Sequence, residues 1–300
     1  MRIMRLTLTF AMCLLLSGAA TSATEQKTFS SPAEAVKALM TAVESGDQDA
    51  LLAVFGDDGK DLISSGDAVQ DKAGRAGFVK AYKTKHAIVT VDENTRLLQV
   101  GAKDWQMPIP IVQEGGKWRF DTAAGKQELI YRRIGDNELG AIAVCRGFIA
   151  AETDYAAVGH DGLPAGTYAQ RLVSEPGKQN GLYWQTQEGE PPSPAGPFLA
   201  QAGEEGYQKS DPYHGYYYRI LKAQGPAAPG GAKSYLVDGQ LKGGVALVAH
   251  PAQYKSSGVM TFIVNQDGIV YQKDLGENTS ELAKAMTDYN PDSSWKKVTD

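Results

Sequence analysis

Four histidines, His86, His160, His214 and His250, are the side chains best suited to acid–base or metal chemistry near neutral pH. None stands in a His-x-x-x-His or glutamate-flanked zinc spacing, so no metal centre is expected. His160-Asp161-Gly162 reads as a loop turn, His214 follows Tyr213 at a strand entrance, and His250 closes a strand before Pro251. If folding joined His214 and His250 with Asp211 or Asp238, the group would hold a metal or pass protons; strand-end histidines are the plainer reading. Nucleophilic catalysis finds no Gly-x-Ser-x-Gly elbow. Ser293 and Lys296 keep a Ser-x-x-Lys spacing, but in a polar tail without companion motifs. No glycine-rich loop joins a strand to a helix as a phosphate cradle, so no nucleotide cofactor is expected. Asn265-x-Asp267-Gly268 lacks the further carboxylates that calcium requires and fits a hairpin turn.

The strongest binding candidate is aromatic. Tyr213, Tyr216, Tyr217 and Tyr218 crowd one strand, where side chains alternate, so Tyr216 and Tyr218 share a face that Tyr217 does not. Sheet packing accounts for one face. Exposed rings on the other would stack on a glycan or dock a partner protein. Trp105, Trp118 and Phe120 are a second set, able to line a pocket or simply fill a core.

These residues need elements to hold them. Ser31-Pro32-Ala33-Glu34 writes a helix start with a capping box, and Val36, Leu39, Met40 and Val43 continue at helical spacing. Gly46 ends that helix, and Asp47 caps a short second one carrying Leu51, Leu52 and Phe55. From His86 the period changes to two: Ala87 to Val91, Leu97 to Val100, Trp105 to Val112 and Trp118 to Phe120 read as antiparallel strands, with Gly115-Gly116 as a hairpin turn. Pro108 and Pro110 put the third at an edge or a bulge. Helical spacing returns from Lys126 to Ala157, with an interruption expected at Gly135-Asp136-Asn137. Cys145 lies in its second apolar set as a small buried hydrophobe. Thr186 to Asp211 reads as a long surface loop rich in Gly, Pro and Glu. Strands resume at Tyr216 to Leu221, Tyr235 to Val237, Val245 to Ala249, Val259 to Val264 and Ile269 to Tyr271, and a last helix runs from Ser280 to Tyr289.

Bulk properties narrow the setting. Arg2 and Arg5, an apolar run from Leu6 to Leu16 and the small residues Ser17 to Ala23 form an export leader, with the cut placed after Ala23. That run is shorter than the roughly 20 residues a membrane span requires. No later stretch is long enough either, so the mature chain is expected in the periplasm or outside the cell. With 30 Lys+Arg against 35 Asp+Glu and a net charge of −5, no basic stripe invites nucleic acid. Of the 2 cysteines only Cys145 survives the cut, which rules out an internal disulfide in the mature chain.

Two helices followed by a curved antiparallel sheet resemble the NTF2-like, or SnoaL-like, cone over Thr28 to Ala124, on residues such as Ala35 to Leu39 and Gly116-Lys117-Trp118-Arg119-Phe120. One helix, a long loop and a meander ending in Gly258 to Gly268 resemble the globular head of type IV pilin-like proteins; Asn137 to Ala143 and Ala150 to Tyr155 add to the likeness. The pilin transmembrane half-helix and prepilin cleavage motif are absent, which argues against polymerisation. Across nearly the whole mature chain the sequence resembles the DUF2950 family of uncharacterised bacterial proteins. The residues that carry this are Trp118 to Thr122, Arg132 to Glu138, His214-Gly215-Tyr216-Tyr217-Tyr218-Arg219-Ile220-Leu221, Ala223 to Pro226 and Val270 to Gly276. That resemblance implies no particular activity.

The expectation is an α+β chain: a leader over 1–23, an NTF2-like domain over 27–125, and a pilin-head-like domain over 126–300, in which a long helix packs on an antiparallel sheet. Its expected role is non-catalytic, binding an envelope protein or a glycan without cofactor or metal. The alternative is a periplasmic hydrolase using an NTF2-like pocket or the His214/His250 neighbourhood with Asp211. A component associated with pili is a third reading.

Overall fold

The computed structural model describes residues 26–187, 189–208 and 210–299, so the leader and its cut after Ala23 lie outside the described residues. Helix α1 (Pro32–Ser45) starts where the capping chemistry places it: Ser31 Oγ accepts from Glu34 N at 3.2 Å. Glu34 reaches one residue further back than a capping box requires, accepting from Ser30 N at 3.1 Å and Ser30 Oγ at 2.6 Å. Gly46, with φ 68°, closes the helix in the left-handed region that favours glycine. Helix α2 (Gln48–Phe55) is capped by Asp47, a short α3 (Lys60–Ile63) follows, and α4 (Ala68–Thr84) is capped by Asp67. Apolar spacing did not announce α4, because it buries no residue and carries Gly74 and Gly77.

Strands β1 (His86–Thr90), β2 (Thr95–Val100), β3 (Trp105–Gln106), β4 (Ile111–Glu114) and β5 (Lys117–Phe120) form an antiparallel sheet in the order β1-β2-β4-β5, with β3 beside β2. The strand expected from Trp105 to Val112 is therefore two pieces. Pro108 and Pro110 fall between them, where no ladder donor is required. Val36 and Leu39 of α1, Leu51 and Phe55 of α2, and Leu98, Ile111 and Phe120 of the sheet share one buried cluster.

Helix α5 (Thr122–Ala156) is a single helix of 35 residues, without the interruption expected at Gly135-Asp136-Asn137. Tertiary partners override local preference here. Asn137 does not turn back to cap a new helix; its Nδ2 donates to Ser257 O at 2.8 Å, and its Oδ1 accepts from Gln70 Nε2 at 2.6 Å. The helix is about 50 Å long. Its first half meets the first cluster through Leu129, while Ala141, Cys145, Phe148, Ala151 and Tyr155 belong to a second.

The stretch expected as one long loop contains helix α6 (Gly196–Glu205). Then β6 (Tyr216–Leu221) leads into the short pieces β7 (Ala223–Gln224), β8 (Lys233–Ser234), β9 (Leu236–Val237) and β10 (Gln240–Leu241). Strands β11 (Ala246–Pro251), β12 (Met260–Asn265) and β13 (Tyr271–Asp274), helix α7 (Thr279–Ala285) and β14 (Lys296–Lys297) complete the chain. The main sheet runs β14-β13-β12-β11-β6, antiparallel throughout. Every residue of β11 is buried, since α5 and α7 both pack against it. The chain is α+β, and no helix among the described residues is long and apolar enough to cross a membrane.

Between the clusters lies a polar seam. Asp67, fully buried, accepts from Gln70 N at 2.9 Å as a helix cap. Its Oδ2 also accepts from Gly215 N at 2.8 Å and from Tyr207 Oη at 3.0 Å, both far along the chain. Arg133 donates to Ser256 O at 2.9 Å and to Asp61 O at 2.6 Å. Gly215 sits at φ 77°, and a Cβ there would stand 2.4 Å from Asn137 Nδ2. Removing the Asp67 carboxylate strands several buried donors at once, so Asp67→Ala is expected to lower unfolding free energy by about 2–4 kcal/mol. Urea denaturation followed by circular dichroism checks this; an unchanged midpoint would remove the seam from the stability account.

Candidate functional site: a cavity walled by tyrosine rings

Helix α5 presents small residues, Gly147 and Ala151, four apart on the face that looks toward β6. The gap they leave becomes a cavity of about 710 Å³, within the range of small-molecule sites. Val144 and Phe148 form its α5 wall, Leu172 and Leu182 a second, and Tyr216 and Tyr218 the wall from β6. Tyr207 and Tyr213 close the side next to α6.

Three of the phenolic hydroxyls are already engaged. Tyr216 Oη donates to Met260 O at 2.9 Å, Tyr218 Oη to Tyr213 O at 3.4 Å, and Tyr207 Oη to Asp67. Tyr213 packs edge-on to Tyr207 and to the ring of His214, with centroids 5.0 Å and 4.3 Å away. Burial pushes the phenols of Tyr207, Tyr213, Tyr216 and Tyr218 upward, which leaves them protonated at any working pH. The cavity therefore meets a ligand chiefly with ring faces and aliphatic carbon. Arg171 and Asp211 supply its charge, and Asp211 Oδ2 already accepts from Gln208 N at 2.8 Å.

Folding gathers part of the sequence-level site and disperses the rest. Tyr213, Tyr216, Tyr217, Tyr218 and Asp211 all border the cavity. Tyr217 borders the cavity even though alternation turns it to the other face of β6; it lies across from His250 in the ladder, with ring centroids 5.6 Å apart. His250 is buried and bonded to Pro251 O; burial holds its pKa below the usual range, against the pull of that carbonyl. His214 stands elsewhere, at φ 49°, with Nε2 3.0 Å from Glu205 Oε2. No hydrogen bond or ring contact joins His214, His250 and Asp211 among the described residues. His86 stacks on Tyr82 and His160 on Tyr155, both ordinary packing. Nor do three metal-binding side chains converge among the described residues.

A smaller cavity of about 420 Å³ lies in the first half of the molecule, with Leu39, Phe78 and Met107 below Asp71, Arg133 and Asp136. Trp105 lines it, whereas Trp118 and Phe120 do not. Phe120 is fully buried against Phe55, and the Trp118 ring lies under Arg96 at 5.1 Å.

Sequence reading missed Tyr207, Phe148, Arg171 and Leu172. Phe148, Arg171 and Leu172 come from segments remote from β6, and Tyr207 from the turn before it; contacts across the fold bring them together. Asp67 carried a legible signal as a helix cap, but its bonds to Tyr207 and Gly215 carried none.

Beside the cavity, Glu152 is buried on α5, with Oε2 accepting from Ala169 N at 2.8 Å and Oε1 unpartnered. Burial pushes its carboxyl up to about 8 from an ordinary value of 4.5. The folded chain thus keeps a proton that the unfolded chain releases, and the group's contribution to stability is whole below pH 4.5 and lost as pH rises toward 8. Glu152→Gln is expected to gain stability over the parent as pH rises from 5 to 9, by on the order of 3–5 kcal/mol at the top. Urea unfolding across that range checks it; a difference independent of pH would contradict a protonated buried carboxyl.

Over residues 26–298 the chain matches the DUF2950 family model, described as a protein of unknown function. No curated protein and no solved structure matches it.

Proposed function

For this chain, which belongs to the DUF2950 family, we propose an exported, non-catalytic binding module that holds an apolar ligand in the tyrosine-walled cavity. The observation that carries this is a cavity of about 710 Å³ walled by aromatic rings and aliphatic carbon, in which Tyr207, Tyr216 and Tyr218 already bond their hydroxyls inside the protein. A glycan site needs several free donors and acceptors to replace the water that a sugar loses. Rings and aliphatic walls favour hydrocarbon or aromatic surface instead, at roughly 25 cal/mol per Å² removed from water. The absence of an acid–base pair among the residues bordering this cavity supports binding over turnover. The leader read over residues 1–23 supports a bacterial envelope setting.

The expected behaviour is saturable, one-to-one binding of an apolar fluorescent probe such as N-phenyl-1-naphthylamine. Val144→Trp fills the cavity from α5 and is expected to weaken that binding at least tenfold while the thermal melt stays cooperative. Probe fluorescence that rises without saturation, or that ignores the Val144 substitution, would overturn the reading.

A further inference from the structure

Strand β6 is the edge of the main sheet, and most of its outer side is unpaired. The direction of its backbone follows from the register. Ala252 N donates to Gly215 O at 2.9 Å, so Gly215 faces β11, and Tyr217, Arg219 and Leu221 face it too. Tyr216, Tyr218, Ile220 and Lys222 then turn their N–H and C=O groups outward. Tyr216 is closed off by its bonds with Tyr213, and Lys222 O accepts from Tyr235 N at 2.9 Å. Between those stops, no hydrogen bond among the described residues reaches the outward N–H and C=O of Tyr218 and Ile220. Four ladder groups thus form a short open window on a six-residue strand.

The space outside that window is continuous with the proposed binding site. A groove of about 720 Å³ runs along the outer side of β6, and it shares Arg171, Leu172 and Tyr218 with the tyrosine cavity. Arg171, Arg219, Lys222 and Asp288 border the groove; Arg171 is paired with Glu175 at 2.9 Å and Arg219 donates to Ala283 O and Met286 O, which leaves Lys222 as the cation whose charge no partner meets among the described residues. Resting on the cavity reading above, we infer that the ligand is an extended segment of a partner polypeptide, which adds to β6 as a short strand. Only a peptide backbone offers alternating donors and acceptors at the spacing this window presents. Its side chains would alternate as well. Those on the face of Tyr218 enter the cavity and call for an apolar residue, while Lys222 along the groove calls for an acidic one.

The test selects random twelve-residue peptides, displayed on phage, on the full chain, then synthesises the enriched sequences and measures binding by fluorescence anisotropy. Alternating apolar residues with at least one acid are expected. N-methylation of alternate peptide nitrogens, on the register that faces β6, should weaken binding at least tenfold. Ile220→Pro removes an outward N–H but no bond to β11, a position that an edge strand tolerates. It should weaken the peptide at least tenfold and leave N-phenyl-1-naphthylamine bound. Hydrogen exchange at the Tyr218 and Ile220 amides should slow in the complex. Strand addition is overturned if no peptide is enriched, or if N-methylated peptides bind as well as their parents on the unaltered chain. Slowed exchange confined to other surfaces would overturn it too, as would a concentration-dependent dimer through β6 that peptides cannot displace. If the probe binds and the peptides do not, strand addition alone falls; if the probe also fails, the cavity reading falls with it.

Discussion

A single helix of 35 residues contributes side chains to both buried clusters of this protein. Its first half meets the first cluster through Leu129 and its second half lies on β11 and β12 of the second five-stranded sheet, so both clusters share one element. The point of handover is Asn137, buried in the middle of the helix and bonded to Gln70 on one side and Ser257 on the other. An asparagine amide in that position has to satisfy both its donor and its acceptor, because water does not reach it. Asp67 plays the matching part from the first half, gathering α4, Gly215 and Tyr207 onto one carboxylate. Directional bonds of this kind fix the orientation of the two halves more narrowly than apolar contact does, since hydrophobic burial has no preferred angle.

That orientation shapes the tyrosine-walled cavity. Tyr207 bonds to Asp67 with its hydroxyl and borders the cavity with its ring, so the polar seam and the apolar cavity share a residue. The same economy holds around the cavity: Tyr216 and Tyr218 turn their hydroxyls to backbone carbonyls and their rings to the open space. A wall rich in tyrosine is for this reason hydrophobic in effect. Further polar capacity nearby belongs to the backbone at the open window of β6 and to Lys222 beside it.

The histidines show how strongly environment governs chemistry that residue type only permits. Burial lowers the pKa of His250, His214 is half exposed and paired with Glu205, and the other two are stacked on tyrosines. Catalysis by imidazole needs a partner oriented on the second ring nitrogen and a cleft for substrate. Of the four, His214 has a carboxylate partner in Glu205 but does not border the tyrosine-walled cavity.

The sequence by itself determined the local features. Ser31, Asp47 and Gly46 marked helix ends, Gly115-Gly116 marked a hairpin, and the alternation of Tyr216, Tyr217 and Tyr218 assigned them to opposite faces, because capping, turn geometry and pleat depend only on near neighbours. Composition and strand order were enough for an α+β chain, and whole-chain resemblance for its family. The tertiary structure decided what depends on distant partners. It kept α5 unbroken through Gly135-Asp136-Asn137, held the exposed helix α4 that apolar spacing did not reveal, and formed α6 inside an apparent loop. It also separated His214 from His250 and joined Phe148, Leu172, Tyr207 and Tyr218 around one cavity. These outcomes rest on contacts between residues scores of positions apart, whose free energies outweigh local preferences of a few tenths of a kcal/mol up to about 1 kcal/mol per residue.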